Sequence, residues 1–203
     1  MDRTPRADHY FTPQPESDSA EREITFPFGD RRFAFRTDAG VFSHRFVDRG
    51  TALLLSKLPL PLEGDVLDWG AGYGVIGIVT AAFSPEARVV LVEINERAAA
   101  LARRNVEANR VTNAQVVVGD ALKALGDQQF DAIVTNPPIH AGKPVVAGLI
   151  RDAQARLRLG GELWMVVRTR DGAKSYFATL QGVFSAVERV GMRGGYRVFC
   201  ATR

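Results

Sequence analysis

Sulfur and imidazole are scarce in this chain. One cysteine, Cys200, cannot close an internal disulfide, and with three histidines among 203 residues no structural metal site is expected. Long apolar runs are missing as well, since no stretch approaches the roughly 20 residues that a membrane helix needs. The segment Met1 to Ala20 is polar and broken by Pro5, Pro13 and Pro15, unlike a secretory signal. Internal repeats are absent. These absences exclude membrane and secreted classes and point to the cytoplasm. What remains, 46% hydrophobic and 24% charged, fits one soluble domain with a sizeable core.

The net charge of +3 is unevenly spread. From Lys143 to Arg203 eleven Lys and Arg face four Asp and Glu, or +7, while the rest carries fifteen against nineteen, or −4. A basic C-terminal third can attract phosphates. Arginine dominates that third, and a composition bias toward arginine explains it equally well.

Along the chain, residues 1–22 read as a flexible lead-in and 23–60 as a hairpin and helix packed on a core formed by 61–203. Ile24–Pro27 and Arg32–Arg36 flank the turn Gly29-Asp30, a β-hairpin pattern. Ser43 is the expected N-cap of a helix over about 44–58, with Phe46, Val47, Leu54 and Leu58 on one face. Strands and helices then alternate. Strands are expected at Val66–Trp69, Arg88–Val92, Ala114–Val118, Phe130–Thr135 and Glu162–Arg168. Helices are expected through Phe83, over Asn95–Asn109, over Val145–Leu159 with Gly160-Gly161 as its stop, and over Gly172–Val183. Ser185–Val190 and Tyr196–Ala201 close the chain as an antiparallel hairpin. The pattern is α/β, Rossmann-like, built from right-handed crossovers.

Asp68-Trp69-Gly70-Ala71-Gly72-Tyr73-Gly74 leaves the first strand of this series and enters a helix. Glycines there let backbone approach a ligand, and the helix start favours anions. Gly72 to Gly77 even satisfies the dinucleotide pattern GxGxxG. Glu93, nineteen residues past the loop, can accept ribose hydroxyls, which suits any adenosine cofactor. Asp68 favours one of them. An acid ahead of the glycines opposes a pyrophosphate but can interact with the ammonium of a methionine moiety, and Asp120 after the third strand meets an adenine amino group. S-adenosylmethionine is the expected cofactor.

The fourth strand runs into Asn136-Pro137-Pro138-Ile139. The prolines stiffen this turn and should leave its carbonyls without competing local donors. The Asn136 side-chain oxygen and the Pro137 carbonyl could then accept both hydrogens of a planar exocyclic amine and aim its lone pair.

The combination of these stretches with His9-Tyr10-Phe11, Phe35 to Ser43, Gly160 to Trp164 and Gly195 to Val198 resembles a known family. It is the small-domain methyltransferase family that includes the catalytic half of bacterial 16S rRNA guanine-N2 methyltransferases. The resemblance covers nearly the whole chain. It implies a class I methyltransferase sheet of seven strands, mostly parallel, with an antiparallel last strand, and a segment Thr37 to Ser43 folded over the cofactor. Cofactor contacts are then expected from Thr37, Phe42, Asp68, Gly70, Ala71, Gly72, Tyr73, Gly74, Glu93, Ile94, Asp120, Ala121 and Asn136. Catalysis falls to Asn136, Pro137, Pro138 and Ile139. The expected substrate is the N2 amine of a guanine in ribosomal RNA, handled by a monomer, with Lys143, Arg168, Arg170 and Lys174 rimming the pocket toward phosphates. Two departures stand out: the two-domain rRNA enzymes carry an additional N-terminal half, and Ile139 replaces the aromatic that often follows Asn-Pro-Pro. Tyr10, Phe11, Phe42 or His140 could supply stacking instead. Adenine N6, a protein glutamine amide, a non-catalytic cofactor-binding module and a nicotinamide oxidoreductase are the competing readings.

Overall fold

Four runs of apolar residues form the buried middle of a sheet. They are β3 (Asp65–Trp69), β4 (Arg88–Glu93), β6 (Phe130–Thr135) and β7 (Leu157–Arg168). Strands apolar on both sides need cover on both faces, and the connecting helices provide it. The structure, a computed structural model, describes residues 18–203; His9, Tyr10 and Phe11 lie outside them, as does most of the expected lead-in. With β5 (Ala114–Val118), β8 (Ala186–Arg193) and β9 (Tyr196–Thr202), the sheet has seven strands in the order β5-β4-β3-β6-β7-β9-β8. The last strand in sequence, β9, is antiparallel to both neighbours, and the pairings before it are parallel. This is the expected Rossmann-like methyltransferase sheet.

The N-terminal hairpin, β1 (Arg22–Phe28) and β2 (Arg31–Thr37), turns at Gly29-Asp30 as expected. It docks on the helix α3 (Glu96–Ala108), and two asparagines make the joint. The Asn105 side chain accepts from Arg36 N at 2.7 Å and donates to Arg36 O at 2.9 Å. Asn109 does the same for Ala34, at 3.1 and 2.8 Å. Each amide thus stands in for a missing strand neighbour and satisfies an edge that would otherwise be unpaired.

Three boundaries differ from expectation. The first helix, α1 (Arg49–Leu55), starts later, because Asp48 and not Ser43 is its N-cap: the carboxylate accepts from Gly50 N and Thr51 N. Ser43 sits at φ 54° in a turn, its hydroxyl donating to Phe46 O, and Phe46 is exposed rather than on the buried face. Helix α5 (Lys143–Arg156) stops before Leu157, which is fully buried and already pairs with Phe130 as a strand residue. Gly160-Gly161 therefore lies in a register shift inside β7 and ends no helix. The terminal hairpin turns on Gly194-Gly195 alone, so β8 is longer than expected.

Candidate active site

A cavity of about 490 Å³ opens at the carboxyl ends of β3, β4 and β6, a size typical of small-molecule sites. The glycine turn between β3 and α2 (Val75–Phe83) forms its floor. Gly70 N and Ala71 N both donate to Val92 O at 3.0 Å, and Gly72 N donates to Glu93 Oε2 at 2.7 Å. Gly70 and Gly72 adopt φ 77° and 58°, where side chains are strained, and a Cβ on either would meet nothing within 4 Å. Their bare backbone faces open space. Gly74 and Gly77 do something else. A Cβ on Gly74 would press on Ile78 at 2.9 Å, and one on Gly77 would collide with Leu91 at 2.4 Å. These two let α2 approach the sheet and take no part in the cavity wall.

Glu93 lines the cavity and is almost wholly buried. Burial pushes its carboxyl up, while N–H donors from Asn95 and Gly72 pull it back. Oε1 accepts from Asn95 N at 2.8 Å and Oε2 from Gly72 N, the Ile94 N–H adds a further bond, and the carboxylate still faces the cavity as an acceptor suited to a diol. Ile94, Asp120 and Ala121 continue the wall from β4 and from the start of the short helix α4 (Ala121–Ala124). Bare glycine backbone, a diol acceptor, a further acid and apolar flanks fit an adenosine-type cofactor such as S-adenosylmethionine.

Asp68 lies behind this surface. It is fully buried, its Oδ2 accepts from Gly77 N at 2.7 Å, and its Oδ1 has no hydrogen-bond partner among the described residues. Burial raises its carboxyl to about 7 against the pull of the Gly77 N–H, and the Glu93 charge adds to the rise. Thr37 is also buried at the end of β2 and off the cavity wall, whereas Phe42 and Tyr73 are on it. The Tyr73 hydroxyl donates to Ser43 O at 3.3 Å, fastening the segment after β2 over the cavity.

At the far side stands Asn136, next to the glycine turn because Thr135 Oγ1 donates to Trp69 O at 2.8 Å. Its Nδ2 donates to Thr51 Oγ1 at 3.0 Å and to Asp48 Oδ2 at 3.3 Å. With the donor end so committed, the acceptor Oδ1 is the end left for a ligand. Pro138 shares the wall; Pro137 is buried and Ile139 packs toward the second core cluster, so neither lines it. The turn departs from expectation in one respect. Ile139 N donates to Pro137 O at 2.8 Å, with Pro138 at φ −74°, ψ 77°, an inverse γ-turn. Prolines remove only their own N–H groups, and Ile139 supplies the next one. The Pro137 carbonyl keeps its second lone pair.

Asp48 and Thr51 went unnoticed in the sequence, although an Asp two residues before Gly50-Thr51 and an apolar run is an N-cap signal. Asp48 Oδ1 also accepts the Tyr196 hydroxyl at 3.0 Å, and Arg168 Nε donates to that hydroxyl at 2.7 Å. Among the expected rim residues, Arg168 and Arg170 line a second cavity beyond Asp48. Lys143 opens α5, and Lys174 lies exposed on α6 (Ala173–Gln181); neither lines either of these two cavities. Arg158 is at the opposite end of the sheet, paired with Asp65 at 2.7 Å and with Asp131. Among the described residues no group of three His, Cys, Asp or Glu could hold a metal ion, and no helix is long and apolar enough to cross a membrane.

Comparison with known proteins agrees with this geometry. The methyltransferase small domain family matches residues 32–200. Protein YbxB of Bacillus subtilis is 35% identical over 97% of this chain and 99% of its own length. Ribosomal RNA small subunit methyltransferase C of Shewanella amazonensis is 35% identical over 92% of the chain, which spans 54% of that relative. Among solved structures, T. thermophilus RsmC, a 16S rRNA N2 methyltransferase in complex with AdoMet and guanosine, superposes with a TM-score of 0.80 at 30% identity. That match covers 93% of this chain and 52% of RsmC; the chain thus spans about half the length of these RNA-modifying relatives. The chain belongs to the methyltransferase small domain family of S-adenosylmethionine-dependent enzymes.

Proposed function

We propose that this protein methylates the exocyclic N2 amine of a guanine in ribosomal RNA, in the cytoplasm. The observation that carries the reading is the orientation of Asn136, whose donor end is held by Asp48 and Thr51. The lone pair of a guanine N2 amine is delocalised into the ring and attacks poorly. Asn136 Oδ1, on the cavity wall, accepts one of its hydrogens, which orients the amine and aims its lone pair at the methyl group. S-adenosylmethionine, when bound, supplies a methyl group on a good sulfonium leaving group. Gly70, Gly72 and Glu93 hold the cofactor side, with Asp120 toward the adenine. The nitrogen gains the methyl and, once cationic, sheds a proton readily to water, so no strong base is required. The RNA-modifying relatives support ribosomal RNA as the substrate class.

The test is transfer of labelled methyl from S-adenosylmethionine to bulk ribosomal RNA, DNA and protein by the purified chain. Label recovered as N2-methylguanine in RNA is expected. Label in adenine or in a glutamine amide would replace the reading with one of its competitors.

A further inference from the structure

The second cavity, about 540 Å³, meets the cofactor cavity at one residue, Asp48, which lines both. Its walls come from the loop before α1, the end of β7 and the Gly194-Gly195 turn. Phe46 projects there with 62% of its surface exposed. At the mouth of this cavity, beside arginines, the ring offers an open face for stacking. Arg49, Arg168 and Arg170 share the walls. The acid among them, Asp48, is already satisfied by Gly50 N, Thr51 N, Asn136 and Tyr196. Arg168 is spent on Tyr196, stacked over its ring at 5.1 Å, while Arg49 is exposed and Arg170, exposed too, makes only a loose 3.8 Å pair with Asp171. A Cβ on Gly194 or Gly195 would meet nothing within 4 Å, so that wall is bare backbone.

An exposed aromatic ring, two exposed guanidinium groups and a bare backbone wall match one nucleotide of a single strand: base on ring, phosphates on arginines. We propose that this second cavity receives the nucleotide next to the methylated one, with Phe46 as its stacking platform. The position follows from Asp48, which walls this cavity with one edge and holds Asn136 with the other. The proposal rests on the RNA reading above.

Fluorescence anisotropy of the full chain with a labelled single-stranded RNA 12-mer containing guanine tests it, with S-adenosylmethionine calorimetry as the control for folding. Phe46→Ala should weaken RNA binding about 10-fold without changing its salt dependence, and Phe46→Trp should restore it. Arg49→Gln with Arg170→Gln should instead flatten the salt dependence by roughly 1.4 units of slope, about 0.7 for each lost phosphate contact on a single strand. Cofactor affinity should hold in every variant. Wild-type RNA affinity in Phe46→Ala overturns the proposal while leaving the RNA reading intact, and is the result expected if a protein segment occupies the cavity. Wild-type protein that binds no RNA overturns both.

Discussion

Asn136 and Asp48, 88 positions apart, are joined by a hydrogen bond from the amide to Oδ2. The other oxygen of that carboxylate takes the Tyr196 hydroxyl, so one acid ties the end of β6 to the start of β9. Asn136→Ala should therefore leave S-adenosylmethionine affinity nearly intact and lower turnover about 100-fold or more, as removal of a positioning group does. Tyr196→Phe, which frees one oxygen of Asp48, should lower turnover less and leave cofactor affinity unchanged. Steady-state kinetics beside calorimetry checks both; near-normal turnover in Asn136→Ala would remove the Asn-Pro-Pro turn from the mechanism.

Glu93 braces the Gly72 and Asn95 backbone, and we propose that it also accepts from a ribose. Glu93→Ala should weaken cofactor binding by about 1–3 kcal/mol. Glu93→Gln keeps one acceptor oxygen and should lose less. Unchanged calorimetric affinity in the alanine variant would place the ribose elsewhere.

Asp68 makes the free protein sensitive to pH. Its carboxyl is raised by burial to about 7 in the folded state, above its ordinary value near 3.8. The folded chain therefore holds a proton that the unfolded chain releases, and stability falls as pH rises from about 4 through about 7. The contribution is at most about 4 kcal/mol, present in full only at the acid end. Asp68→Asn keeps an acceptor for Gly77 N and removes the titration. Urea melts at pH 5.5 and 8 should show the difference in stability between variant and wild type growing in the variant's favour with pH. A difference constant across that range would mean Asp68 does not titrate there.

The contact of Gly77 with Leu91 predicts a packing defect. Gly77→Ala places a methyl 2.4 Å from Leu91 Cγ in a helix–strand seam, and such overpacking costs about 1–3 kcal/mol. Leu91→Val in the same chain should recover part of the loss. Denaturant midpoints measure both, and an undiminished midpoint in Gly77→Ala would show that the seam can spread.

Local pattern was enough to place β5 and β6 to the residue and to find the hairpin, the glycine turn and Glu93. Each of these depends on short-range chemistry: apolar runs, turn glycines, strand ends. The misses share the opposite property. Ser43 and Asp48 are equally good caps in isolation, and what selects Asp48 is a set of partners from β6 and β9. Leu157 continues an apparent helix until its pairing with Phe130, 27 positions earlier, claims it for the sheet. Position in the motif alone points Asp68 at a ligand, and only the fold turns it toward Gly77 N. Thr51 and Tyr196 carry no motif at all; their significance is wholly a matter of what the chain brings beside them.

The place of β9 between β7 and β8 also sets an order of assembly. Most of the wall on the cofactor side comes from residues 69–121, whose parallel strands are joined by single-helix crossovers local in sequence. Asp48 meets Tyr196 only across 148 positions, and contacts so distant in sequence form slowly. During synthesis the nascent chain can build its nucleoside cradle while β9 is still inside the ribosome. The acceptor half has to wait for the final strand to slot home.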